Sequence, residues 1–169
     1  MKNYSLSITD VTDGILSRLS QLKMLYLMAL CIFLNLLVSF IFSYYLFPDA
    51  QNPNAYLSLP IKIFAAVLLA PIIETYIIQG YVIKQSLKYF GNSKFIAIML
   101  SSILFGVMHY FSASFSASPF MLKAVFAGFL YSLLYFSVLP KTKNPLLVVM
   151  LTHSIFNSIG FLIEYFSKH

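Results

Sequence analysis

Three side chains in this sequence could do acid–base or metal chemistry from places where ionisable groups are rare: Glu74, His109 and His153, each inside a separate long apolar run. Of the five acids, Asp10, Asp13, Asp49 and Glu164 lie near the ends of apolar segments, where water or lipid headgroups are in reach. Glu74 is stranded. Placing an ionisable group at the centre of a bilayer costs at least about 2.5 to 3.5 kcal/mol, so it normally faces a partner, a cavity or a reaction. Glu and His together can activate water as a general base, hold a developing oxyanion, relay protons or ligate zinc with water in the fourth position.

These residues need a scaffold, and the composition says which kind. The 169 residues are 60% hydrophobic and only 9% charged, with the charge confined to short segments between long apolar stretches. That pattern describes an all-α, polytopic membrane bundle: about five transmembrane helices near 25–47, 60–83, 95–111, 119–139 and 146–166, in one membrane domain over 25–169. Residues 1–24 form a separate interfacial segment, in which Leu6, Val11, Ile15, Leu19 and Leu22 fall near helical spacing among polar residues. The first apolar run exceeds signal-peptide length, has no small-residue cleavage site after it, and reads as retained. Turns are expected at Pro48–Asn54, Gly91–Asn92, Ser112–Ser118 and Pro140–Pro145.

The net charge of +6 is spread over helix ends rather than clustered with aromatics, which argues against nucleic acid and for topology. Eight basic residues (Lys2, Arg18, Lys23, Lys84, Lys88, Lys94, Lys141 and Lys143) fall on the N-terminal side of the membrane and three (Lys62, Lys123 and Lys168) opposite. The imbalance predicts a multi-pass protein of a plasma membrane, with a cytoplasmic N-terminus. The single Cys31 has no partner for a disulfide or a CxxC site and reads as packing.

Depth tests whether the three polar positions share a site. Glu74 is ten residues from Lys84, His153 ten from Lys143 and His109 fifteen from Lys94. At about 1.5 Å per residue the first two coincide near mid-membrane and His109 lies roughly 7 Å further out, within reach of helix tilt and side-chain length. Asn157, four residues beyond His153, projects from the same helix face, and Phe105 stands in the same relation to His109.

Along successive helices the chain thus carries Glu74-Thr75-x-x-x-Gln79-Gly80, Phe105-x-x-x-His109 and His153-x-x-x-Asn157. In these motifs, over residues 60–160, it resembles the CPBP family, the CAAX-protease and bacteriocin-processing (Abi) intramembrane proteases, whose motifs read EExxxR, FxxxH and HxxxN. The resemblance implies an intramembrane endopeptidase acting on a peptide or membrane-protein substrate. Glu74 and His109 would activate water, and His153 with Asn157 would hold the oxyanion. Thr75, Gln79 and Phe105 would position groups around them.

The sequence departs from the family at Thr75, in place of an acid, and at Gln79, in place of a base. A plus and a minus vanish together, and two neutral residues four apart on a helix could hydrogen-bond where the ion pair would sit. The same departure leaves a second function open: an inactive member of the fold acting as a bacteriocin-immunity or partner-binding protein. Glu74, His109 and His153 also make a zinc ligand set, but that use leaves no carboxylate as base, so no cofactor is favoured. A transporter using the same residues as a proton relay would call for an inverted repeat or broken helix pairs, and the sequence has neither. Oligomeric state is not legible in it.

Overall fold

In the computed structural model, the described residues are 7–46, 58–112 and 118–167. Leu6, the Pro48–Asn54 turn, all but the ends of the Ser112–Ser118 link, and the terminal Lys2, Lys168 and His169 lie outside them. The described residues form an all-α bundle of six helices: α1 (Ile8–Leu19), α2 (Met24–Leu46), α3 (Pro60–Tyr89), α4 (Lys94–Ser112), α5 (Ser118–Val138) and α6 (Pro145–Ser167). Among the described residues α2, α3, α5 and α6 are long and apolar enough to cross a membrane, and α4 is the shorter apolar helix beside them.

The helix ends follow local chemistry. Ser7 and Asp10 close a reciprocal capping box at the start of α1, and Arg18 sits in its last turn. Proline opens α3 and α6, where its missing N–H costs nothing. Helix α3 runs on to Tyr89, carrying Lys84 and Lys88 on helix rather than in a loop. It ends where Gly91 and Asn92 adopt left-handed φ angles of 61° and 63°, with the Asn92 N–H closing on the Leu87 carbonyl at 2.9 Å.

The outside of the bundle is apolar. On α3, Ile72, Ile73, Tyr76 and Ile77 face outward, while Pro71, Thr75, Ile78 and Gln79 are buried. A soluble protein buries its apolar face, so this reversal, polar inward and Ile/Phe/Tyr outward, has hydrocarbon as its solvent. Inside, Leu27 and Cys31 of α2, Ile78 of α3, Phe105 of α4, Tyr131 and Leu134 of α5 and Val149 of α6 form one core in which five helices meet.

The tightest pairing is α4 against α5, and small residues permit it. A Cβ on Gly128 would lie 2.7 Å from the Phe105 Cβ, and one on Gly106 would meet Val125 and the Met121 carbonyl. Ser101 and Ser132, both fully buried, hydrogen-bond across this seam at 2.6 Å. Small residues of this kind let membrane helices approach to backbone contact, where dispersion and interhelical hydrogen bonds replace the missing hydrophobic drive.

Two stretches of α3 are π-helical, Phe64–Leu69 and Tyr76–Val82, and they flank the α-helical turn Ala70–Thr75 that carries Glu74. Pro71 accounts for the first: it has no N–H, and its ring crowds the carbonyl four residues back. Widening to the i→i+5 pattern relieves that clash, and such bulges recur at functional sites.

Candidate active site

Glu74, His109 and His153 converge from α3, α4 and α6. The carboxylate of Glu74 is straddled: Oε1 lies 3.9 Å from His109 Nε2, and Oε2 lies 3.8 Å from His153 Nε2. The His153 side chain is 6% exposed, Glu74 17% and His109 32%, so the cluster grades from a buried imidazole to a partly exposed one. Both gaps exceed direct hydrogen-bond length.

His109 reaches the centre although its sequence position is farther out, because the Gly106 and Gly128 contacts seat α4 deep in the bundle. Its Nδ1 lies 2.9 Å from the Phe105 carbonyl. A carbonyl only accepts, so Nδ1 carries the proton and, in the neutral ring, Nε2 presents a lone pair toward Glu74.

Phe105 is buried in the core, behind the imidazoles: its ring centroid is 4.6 Å from that of His109 and 5.9 Å from that of His153. It supports both histidines. Tyr131 closes the other side of His153, with centroids 4.7 Å apart, and meets Phe105 edge-on at 6.0 Å. Sequence reasoning missed Tyr131; among 17 Phe and 12 Tyr nothing marks it as one that packs inward.

Thr75 and Gln79 are both fully buried, but the expected hydrogen bond between them is not made. Thr75 Oγ1 and both polar atoms of the Gln79 amide lack hydrogen-bond partners among the described residues. A π-helical stretch begins at Tyr76, between the two residues.

Asn157 is on the face of α6 that carries His153. Its Nδ2 donates to the Ala66 carbonyl on α3 at 2.6 Å. This hydrogen bond ties α6 to α3 at Ala66, while His153 of the same helix stands 3.8 Å from Glu74.

The zinc reading can be tested on this geometry. A tetrahedral ion about 2.0 to 2.2 Å from each ligand draws the ligand atoms into one small shell. Here Glu74 meets the two imidazoles through different oxygens, and among the described residues no group of three His, Cys, Asp or Glu side chains is disposed to hold a metal ion.

A carboxylate between two imidazoles, at a polar centre walled by apolar helices, can take a proton from water and stabilise a charged intermediate. Residues 56–159, well over half the chain, match the family model described as type II CAAX prenyl endopeptidase Rce1-like. No curated protein and no solved structure matches the chain. The matched segment contains α3 to α6 up to Ile159 and with them every residue of this site, and the chain belongs to the Rce1-like family of CAAX-type endopeptidases.

Proposed function

We propose that the chain is an intramembrane endopeptidase that cleaves a peptide bond with water activated by Glu74. The observation that carries this reading is the carboxylate straddled by two imidazoles at 3.9 and 3.8 Å, drawn from three helices. Water bound beside Glu74 and the His109 Nε2 lone pair gives its proton to Glu74 as its oxygen adds to the scissile carbonyl carbon. His153 Nε2–H and the second N–H of the Asn157 amide donate to the oxyanion. When the intermediate collapses, the C–N bond breaks, the proton on Glu74 passes to the leaving amine, and a free carboxylate remains. No metal is assigned a step.

The family description points to the C-terminal region of a prenylated, membrane-anchored peptide as the substrate class, which suits a site opening among membrane helices. The lysine distribution supports a cytoplasmic N-terminus in a plasma membrane, with Ile8, Val11 and Ile15 of α1 exposed toward the headgroup boundary. A second reading, an inactive immunity or partner-binding protein, draws on the neutral Thr75 and Gln79 in the first motif.

The test is the protein in liposomes with a library of membrane-tethered peptides, prenylated and not, read by mass spectrometry for wild type and Glu74→Gln, with and without a strong chelator. Cleavage that falls about 10²- to 10⁴-fold in Glu74→Gln and survives chelation is the expected result. Because neither imidazole is within hydrogen-bond length of Glu74, the variant should unfold within about 1 kcal/mol of wild type. Loss on chelation with rescue by zinc would overturn the metal-free mechanism. Equal inertness of both proteins across the library, with a partner peptide still bound, would replace the protease by the binding reading.

A further inference from the structure

The carbonyl that Asn157 grips is free for a reason written in α3. In the π-helical stretch the N–H of Ala70 goes to the Ala65 carbonyl, five residues back. In that register the next rung would run from residue 71 to Ala66, and residue 71 is proline, which has no N–H. In the ordinary α register Ala66 would accept from Ala70, whose N–H is already engaged. The Ala66 carbonyl is thus deprived of both helical donors, in a membrane helix where an unsatisfied backbone group is costly. The Asn157 amide, from 91 residues away, takes the place of the missing N–H at 2.6 Å.

We propose that Pro71 is a positioning residue of the site: by withholding its N–H it makes the Ala66 carbonyl an anchor that fixes the Asn157 amide and the spacing of α6 against α3. Pro71 is fully buried and three residues before Glu74, on the inward face of the helix. An amide has two N–H groups in one plane, so fixing one bond fixes the direction of the other. His153, one turn before Asn157, is held at its distance from Glu74 by the same tie. The catalytic half of this inference rests on the endopeptidase reading, whereas the anchoring half does not.

The experiment is a double-mutant cycle of Pro71→Ala and Asn157→Leu in the full chain, followed by thermal unfolding in detergent. In the wild-type background Asn157→Leu orphans the Ala66 carbonyl and lowers the unfolding midpoint by roughly 5 °C. In the Pro71→Ala background residue 71 supplies its own N–H to that carbonyl, and the same substitution costs less than half as much. Equal losses in the two backgrounds overturn the proposal. Where Asn157→Leu does not fold, Asn157→Ala, which removes the donor and adds no bulk, replaces it in the cycle.

Activity gives the second readout. Pro71→Ala alone should lower kcat about tenfold or more with KM unchanged, since the oxyanion donor loses its aim and substrate binding does not. A rise in KM at constant kcat overturns the positioning role. A chain in which wild type cleaves nothing refutes the endopeptidase reading, while the unfolding cycle still decides the anchor.

Discussion

Gly128 is where a single methyl group tests how the site is held. A Cβ there would lie 2.7 Å from Phe105 Cβ and 3.1 Å from both Phe105 Cγ and Ser102 Cα. Non-bonded carbons prefer about 3.5 to 4.0 Å. The nearest atom is a Cβ, fixed to the backbone, so no side-chain rotation relieves the overlap, and α4 must move away by most of an ångström. Overpacking of this kind costs about 1 to 3 kcal/mol. Phe105 also carries the carbonyl that fixes His109 and the ring packed on it, so His109 moves with α4. A displacement of about 1 Å at a reacting group can cost about 10²-fold in rate. Gly128→Ala should therefore lower the unfolding midpoint by roughly 2 to 12 °C and depress cleavage by one to two orders of magnitude, about the cost of such a displacement. Gly160→Ala is the matched control: it too is in a helix, but with no atom within 4 Å of the added Cβ, and the better helix propensity of alanine should leave stability unchanged or raised by up to about 1 kcal/mol. The chain has no tryptophan, but its single cysteine, Cys31, is 5% exposed, so a thiol-reactive dye that labels only unfolded protein provides the assay. If Gly128→Ala and Gly160→Ala unfold at the same temperature, the close α4–α5 contact does not position His109 and the argument fails.

Two further outcomes concern α1. The Asp13–Lys94 ion pair, 2.8 Å long with side chains 50% and 43% exposed, ties α1 to the start of α4; Asp13→Asn should cost no more than about 1 kcal/mol by chemical denaturation, and the difference should vanish in high salt. The capping bonds from Ser7 hold the Asp10 carboxyl below its usual range. A depressed folded pKa gives stability that is present above the unfolded value and lost as the pH falls through the folded one, so the first turn of α1 should lose amide-exchange protection on acidification below about pH 4. Asp10→Asn should abolish that pH dependence, and its persistence in the variant would assign the effect to another group.

Much of this was legible in the sequence because the bilayer leaves few alternatives. An apolar run of about twenty residues must satisfy its backbone within itself, so the helices and their solvent could be read before any packing was known. An acid within such a run has almost no reason to exist without a partner, and that physics singled out Glu74 and, through depth and spacing, His109, His153 and Asn157. What lay beyond reach was everything set by how one helix rotates and widens against another. That Tyr131 packs on His153 while most aromatic residues face outward depends on the α4–α5 seam, and that seam on which small residues happen to meet. Thr75 and Gln79 are four apart in sequence, yet they make no hydrogen bond to each other, and a π stretch that a simple 3.6-residue period does not contain begins between them. Pro71 is visible to any reader, but which carbonyl it frees, and that Asn157 fills the place, depends on a helical register and on a neighbour 91 residues away. The sequence alone determined which groups are too costly to bury without purpose. Only the tertiary structure decided their partners, because a hydrogen bond depends on tenths of an ångström that residue spacing does not encode.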